Sequence, residues 1–534
     1  MSEAAPARVS PLARIHRQIF DEHTGAIGVA VVSFAITAFF AARLRYFHDE
    51  GLFTLDQVRI AHHELLATFF FIKAKPLLVL LYYLPAKLGL FGFLFTHAAV
   101  AALGVYFVSR AAAHLEIGHP NIAGLTLATS VTMAIAASNG VPNSDGATLL
   151  CLSLFLYFSG RRGLAAVALG ALPFLRHELA PVTLLFLAWD VRERRDVRFL
   201  AAATVFPVAY WILGCLYFGS PLWLVTLFPN SQGVPEAIKT WHPPSLAAVV
   251  DNLRGALVMG SPMLAATALF GVFRRNRASI LLFVTTIVIY GAMSAFQMIG
   301  VFGFDSSPRY YLAPMPLLAL LAASALSSPL RFRWVPGIAL ALIALPTPLR
   351  IVVAVTGLFA AAGAFARSRE AVSAILVAGS SALFVALAGQ SGREIEQHAA
   401  NHRLMAALAE SGVFHGQPLF TTSYLARDDR CAGASDAYLL VNQAMEYETR
   451  SLSDRNGQIE RVYRAGALEH IVSLRDHVIR RDALYAVADR PRNAAWRGLL
   501  EASNPRRTQV HDGRESYLVY SWPERGALEI GPAP

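Results

Sequence analysis

The chain has 534 residues, 55% hydrophobic and 15% charged, where soluble domains carry about a quarter charged. Apolar blocks long enough to cross about 30 Å of hydrocarbon recur along it, which excludes a soluble single-domain reading. The formal charge of +10 lies in the first 390 residues, because the tail from Ser391 carries 18 Arg against 19 Asp and Glu; the excess is loop arginine that orients helices, not a nucleic-acid surface.

Arg8, Arg14 and Arg17 precede the first apolar block, and no small-residue cleavage site follows it, so the block is predicted to be a retained first helix. Arginine clusters then punctuate the apolar segments at Arg161–Arg162, Arg192–Arg198, Arg274–Arg277, Arg331–Arg333 and Arg367–Arg369. The positive-inside rule places these short loops in the cytoplasm, and helices must alternate between them. The predicted spans are 25–42, 88–109, 121–138, 145–159, 163–175, 179–190, 199–217, 253–272, 279–298, 311–327, 335–346, 350–366 and 371–389. About thirteen crossings with a cytoplasmic N-terminus make residues 1–390 a polytopic α-helical membrane domain and put the tail outside. Lysine is confined to Lys73, Lys75, Lys87 and Lys239 beside abundant arginine and alanine, a composition of GC-rich bacterial coding; the expected location is therefore a bacterial inner membrane with the tail in the periplasm.

The alternation gathers polar chemistry on the outer face. The first candidate is "RYFHDEGLF", where Asp49 and Glu50 stand side by side just past the first span. A lone acid there is a hydrated helix end, whereas an adjacent pair before a glycine offers a carboxylate that can act as general base on a hydroxyl. Residues 43–87 form a long outer loop in which Leu55–Phe71 is predicted to be an amphipathic interfacial helix. His62, His63 and Glu64 within it lack the i, i+4 spacing of a zinc motif and read as wet interfacial groups. Lys75 opens the apolar dip "KAKPLLVLLYYLP" as a point charge for an anion. His97, inside the second span, reads as a hydrogen-bonding partner of a neighbouring helix.

The second candidate is Asp145 in "VPNSDGATLL", at the start of the fourth span. Asn143, Ser144 and Asp145 are good N-cap residues, and a helix N-terminus also offers amide donors to an anion. The third is the short turn "LRHEL". Arg176, His177 and Glu178 put three ionisable groups where a turn needs none, at a membrane edge where charge costs less than the about 2.5–3.5 kcal/mol of the bilayer centre. The fourth is "FDSSPRYYLAP", where Arg309 and Tyr310 open the tenth span. Arginine grips phosphate through a bidentate fork, while tyrosine and arginine also anchor helices at the interface.

Past Gln390 apolar runs shorten and charges of both signs interleave. Helices are predicted over Glu394–Ala409 and Asn493–Ala502, and strands over "PLFTT", "ALYAVAD" and "ESYLVYSW", giving residues 391–534 as a soluble α/β domain. Cys151 and Cys215 are in apolar segments and Cys431 is the tail's single cysteine, so the tail has no internal disulfide and no cysteine metal cluster. The sequence carries no glycine-rich phosphate loop and no internal repeat.

Taken in order, these stations resemble the GT-C fold glycosyltransferases that use polyprenyl-phosphate sugars, a superfamily that includes protein O-mannosyltransferases and lipid A aminoarabinose transferases. The matching elements over residues 20–330 are Asp49–Glu50, "KAKPLLVLLYYLPAKLGLFG", "PNSDGATLL", "LRHEL" and "RYYLAPMPLLALLAA". Where other members carry a proline pair this chain has Lys75–Pro76, and its tail matches no single member.

The resemblance implies sugar transfer on the periplasmic side from a lipid-linked donor to a hydroxyl of a glycan, lipid or protein, with inversion. It implies Asp49 as base, basic groups such as Lys75, Arg176 and Arg309 on the donor phosphate, and Glu50 or Asp145 orienting the acceptor. In some relatives those acids help bind magnesium or manganese; the residues themselves define no metal site. His177, Glu178 and Tyr310 complete the expected substrate-binding set. The rivals are a lipid or glycan flippase, which commonly shows inverted repeats and midplane binding groups, and a non-catalytic subunit of an envelope-glycan assembly.

Overall fold

The computed structural model describes residues 23–44, single positions within 54–70, residues 76–118, 120–128, 130–194, 196–226, 276–298, 312 and 314–326, and short stretches between 407 and 529. The predicted spans 253–272, 335–346, 350–366 and 371–389, and nearly all of the helix predicted at Glu394–Ala409, lie outside the described residues. The chain falls into two compact units. One comprises 1–41, 94–211 and 241–389; the other comprises 42–93, 212–240 and 390–534.

The first unit is helical. The helices, in chain order, are α1 (Thr24–Leu44), α2 (Pro76–Tyr82), α3 (Gly89–His114), α4 (Asn121–Ala128), α5 (Val131–Ser138), α6 (Asn143–Phe158), α7 (Arg162–Ala171), α8 (Ala180–Arg194), α9 (Val197–Ala203), α10 (Val205–Phe218), α11 (Trp223–Thr226), α12 (Arg277–Met298) and α13 (Met315–Leu326). Among the described residues α1 and α3 are long and apolar enough to cross a membrane. The pair α9 and α10, bent by 42°, makes a third if it is one span. Ile27, Val31, Val32, Leu103 and Leu216 are large, apolar and at least half exposed on these long helices, as lipid-facing side chains are.

Two predicted spans are broken, for local reasons. The span 121–138 is two short helices, because Ser130 leaves the helical path and its Oγ accepts from the Met133 amide at 3.4 Å, an N-cap for α5. The span 199–217 bends at Thr204. Pro207, three residues on, has no N–H to offer Ala203, four residues before it. The Ala203 carbonyl oxygen instead lies against Gly170 of α7, only 1.9 Å from where a β-carbon would stand. Only glycine admits that approach.

Short connections fix which ends meet. α6 turns into α7 through Gly160, whose φ of 80° suits glycine. α7 turns into α8 through the "LRHEL" segment, where Leu172–Phe174 and His177–Leu179 are 3-10 turns. α7 and α8 are antiparallel neighbours: Thr183 Oγ1 donates to the Leu169 carbonyl at 2.6 Å near one end, and Arg162 pairs with Asp190 near the other. The turn at 176–178 and the first turn of α6 therefore share one end of the helix set. α3 runs alongside α6 in the same direction, through His97–Asp145, through the Thr148 Oγ1 bond to the Val100 carbonyl (3.2 Å), and through stacked Phe107 and Phe155. Gly104 permits the closeness, since a β-carbon there would stand 2.7 Å from Thr148 Oγ1. α13, the helix of the "PLLALLAA" motif, is buried from Pro314 to Ser324 within this core.

In the second unit, Thr54, Leu55, Val58 and Ala61 form a buried stripe at helical spacing inside the predicted interfacial helix, while Leu65 and Leu66 are exposed. Phe70 joins Tyr217, Phe218 and Trp223 in an aromatic knot with centroids 4.9–5.3 Å apart. The tail contributes a four-stranded sheet of order β1-β3-β5-β4 and a two-stranded pair β2-β6. Its strands are β1 (Leu419–Thr421), β2 (Val478–Arg480), β3 (Leu484–Ala488), β4 (Arg506–His511), β5 (Ser516–Ser521) and β6 (Ala527–Glu529). β1 pairs in parallel with β3, and β3–β5 and β5–β4 are antiparallel. β5 buries four consecutive residues, Tyr517–Tyr520, as an inner strand does. β4, "RRTQVH", is the polar edge strand beside it and has too little apolar patterning to be read from sequence. The helix α14 (Ala494–Glu501) stands where one was predicted.

Candidate functional site

A polar cluster surrounds the first turn of α6, all of it in the first unit. His97, Asn139, Asn143, Ser144, Asp145, Arg176 and Glu178 are all buried. Unpaired charge at such depth is costly, so what each group touches decides what the cluster can do.

α5 ends in a Schellman-type turn. Gly140 is left-handed at φ 69°, and the Val141 amide donates back to the Ala136 carbonyl at 3.0 Å. That geometry leaves the Ala137 carbonyl facing α3, where His97 Nδ1 lies 3.0 Å from it. A carbonyl only accepts, so Nδ1 carries a hydrogen. The other ring nitrogen, Nε2, is 3.0 Å from Asp145 Oδ2 and 3.4 Å from Ser144 Oγ, and Ser144 gives its own hydrogen to the Val141 carbonyl at 2.9 Å. One proton therefore lies between His97 and Asp145, and the ring pins together α3, the end of α5 and the start of α6.

The helix start differs from the cap predicted for it. Pro142 occupies the N-cap position and makes no side-chain cap bond. Asn143, Ser144 and Asp145 are the first three helical residues, which frees their side chains for other partners. Asp145 still sits where the helix dipole favours a carboxylate.

Arg176 and Glu178 come from the turn between α7 and α8. Arg176 Nε donates to Glu178 Oε1 at 2.5 Å, and Asn143 Nδ2 donates to the same oxygen at 3.3 Å. The Arg176 stem passes over Gly146, where a β-carbon would stand 2.9 Å from Cγ. The glycine after Asp145 thus makes room for the arginine of a segment thirty residues further on.

Of the nine site residues expected from sequence, Asp145, Arg176 and Glu178 are gathered here. His177 belongs to the same turn, and its side chain lies outside the described residues, as do Asp49, Glu50, Lys75, Arg309 and Tyr310. His97 and Asn143 join the cluster without having been expected in it. The signal for His97 was available, since an ionisable residue well inside an apolar span needs a polar partner. Elsewhere, His62 lies against Tyr83, with Nε2 2.6 Å from its carbonyl oxygen and the rings edge to face at 4.8 Å. Among the described residues no three of His, Cys, Asp and Glu come together to hold a metal ion. Asp145 faces His97 and Glu178 is occupied by Arg176 and Asn143, so this donor set does not fit a divalent ion.

The architecture is the GT-C membrane fold, mostly helical with a small C-terminal sheet. It is shared with ArnT from Cupriavidus metallidurans. The crystal structure of that protein bound to undecaprenyl phosphate superposes with a TM-score of 0.58 at 13% identity, over 94% of this chain and 100% of that one. Its apo structure gives 0.58 at 14% identity, over 94% and 99%. No protein-family model and no curated protein sequence matches the chain.

Proposed function

We propose that the chain is an integral-membrane glycosyltransferase of the bacterial plasma membrane. It moves a sugar from a polyprenyl-phosphate donor to an acceptor hydroxyl on the periplasmic side. The observation that carries this reading is the likeness of fold over 94% of the chain to a protein crystallised with undecaprenyl phosphate. The ordered motifs and the buried acid–base cluster support it.

In this reading Asp49 takes the proton of the acceptor hydroxyl as that oxygen attacks the anomeric carbon in line. The bond from that carbon to the phosphate oxygen breaks, polyprenyl phosphate leaves, and the anomeric configuration inverts. The leaving phosphate needs charge stabilisation more than a proton, which Arg176, Arg309 and Lys75 supply. Glu50 orients the acceptor. Asp145, held by His97, keeps the start of α6 in register with the Arg176 turn. Residues 391–534 form an extracytoplasmic domain that selects the acceptor.

The test is Asp49→Asn in purified full-length protein, assayed for sugar transfer from a polyprenyl-phosphate donor with thermal unfolding followed in parallel. The expected outcome is a loss of at least about 100-fold, as for removal of a general base, with the unfolding temperature unchanged. Undiminished transfer excludes Asp49 as the base.

A further inference from the structure

The turn that leads into α6 and the first residue of α6 hold two buried oxygens that the cluster does not satisfy. Among the described residues Asn143 Oδ1 and Asn139 Oδ1 each have no hydrogen-bond partner, at relative exposures of 2% and 4% for the residues. The amide of Asn143 cannot simply be turned around, because its nitrogen donates to Glu178 Oε1 at 3.3 Å and a carboxylate accepts only. Its oxygen is therefore fixed facing away from Glu178. The two asparagines bracket one tight turn, closed by the left-handed Gly140 and the Val141-to-Ala136 bond. A buried acceptor left without a donor is costly. Two such acceptors on one turn, beside paired ionic groups, match the hydrogen-bonding needs of hydroxyl donors.

We infer that the Asn139–Asn143 turn is a hydroxyl-recognition subsite, whose carboxamide oxygens accept hydrogen bonds from the sugar of the glycosylated lipid. The inference rests on the glycosyltransferase reading and adds the part of the chain that distinguishes a sugar-bearing lipid from a bare one. Neutral acceptors suit this task. They take a hydroxyl hydrogen without adding a negative charge beside the donor phosphate, and a site built to hydrogen-bond a hydroxyl discriminates strongly against a ligand lacking it.

The experiment uses the full chain in detergent or nanodiscs. Binding of undecaprenyl phosphate is compared with that of its mannosyl and 4-amino-4-deoxyarabinosyl esters, for wild type, Asn143→Leu and Asn139→Leu. The expected result is that wild type prefers at least one glycosylated lipid. Asn139→Leu, which spares the Glu178 bond, reduces that preference at least tenfold, and binding of the bare lipid stays within twofold. Asn143→Leu, which also removes a donor to Glu178, reduces the preference in the same direction. A preference unchanged in the variants means that water alone fills the turn and overturns the inference, as does equal weakening of bare and glycosylated lipid, the mark of a structural role. Wild type that binds neither kind of lipid overturns the glycosyltransferase reading itself.

Discussion

The two ends of α6 bury acids in different ways. Asp145 and Tyr157 are twelve residues apart, about 18 Å along the helix. At the far end Arg162 pairs with the fully buried Asp190 and, at 3.4 Å, with Asp196, while its guanidinium lies 5.4 Å over the Phe199 ring. Tyr157 adds a 3.5 Å bond to Asp190, and Asp196 caps α9 by accepting from the Arg198 amide at 3.0 Å. Arg161, Arg192, Arg194 and Arg198 stand exposed around that end. One arginine ties three helices together there, and both of its acids are neutralised. The first-turn end has two separate pairs, His97–Asp145 and Arg176–Glu178, and two amide oxygens, on Asn139 and Asn143, without a partner among the described residues. The arginine-rich end is built as an anchor, although Arg162 Nε also has no partner among the described residues, and the first-turn end is the proposed ligand site.

The sharpest way to break this contrast is Arg176→Ala. It strips Glu178 of its charge partner at 6% exposure, and removal of one member of a buried pair costs about 3–5 kcal/mol. A thermal-unfolding loss of that size together with a collapse of transfer is the expected result. Asp190→Ala is the matching change at the other end. Arg162 keeps Asp196 and is 20% exposed, so the loss should be smaller, about 1–3 kcal/mol, with transfer per folded molecule unchanged. Equal loss of transfer from both variants would erase the distinction between anchor and site.

Gly146→Ala probes the first-turn end without removing a polar group. The new methyl meets the Arg176 stem, so overpacking of about 1–3 kcal/mol is expected, with transfer reduced through a displaced Arg176. Arg277→Ala is the control of smallest effect. Its pair with Glu193, 2.6 Å apart, joins an arginine 83% exposed, and such surface pairs contribute about 0–1 kcal/mol.

Much of the contrast was legible in the sequence. Arginine spacing alone put the "NSD" and "RHE" segments at one end, and the Asn143–Glu178 bond between them is the corresponding contact. The likeness of "PNSDGATLL" and "LRHEL" to a known superfamily pointed at the same two turns. The reading of Asn143–Asp145 as helix caps failed because Pro142 takes the N-cap position and the helix starts at Asn143, two residues before the predicted span. The break at Ser130 was missed because hydropathy registers "LATSVT" as one apolar run, while a single hydroxyl in the right place ends a helix. Strand β4 was missed because an edge strand needs hydrogen bonds from one neighbour and little apolar surface.

By itself, then, the sequence determined the membrane class, the sidedness expected of the loops and the identity of the charged turns, because hydrophobic length and arginine bias act locally along the chain. Only the tertiary structure decided the pairing: Asp145 with His97, Glu178 with Arg176 and Asn143, and Gly146 beneath the Arg176 stem. Those partners lie between 30 and 48 residues apart, apart from the adjacent Arg176–Glu178 pair. Only packed helices bring such distant positions within hydrogen-bond reach, and no local pattern records which of their faces meet.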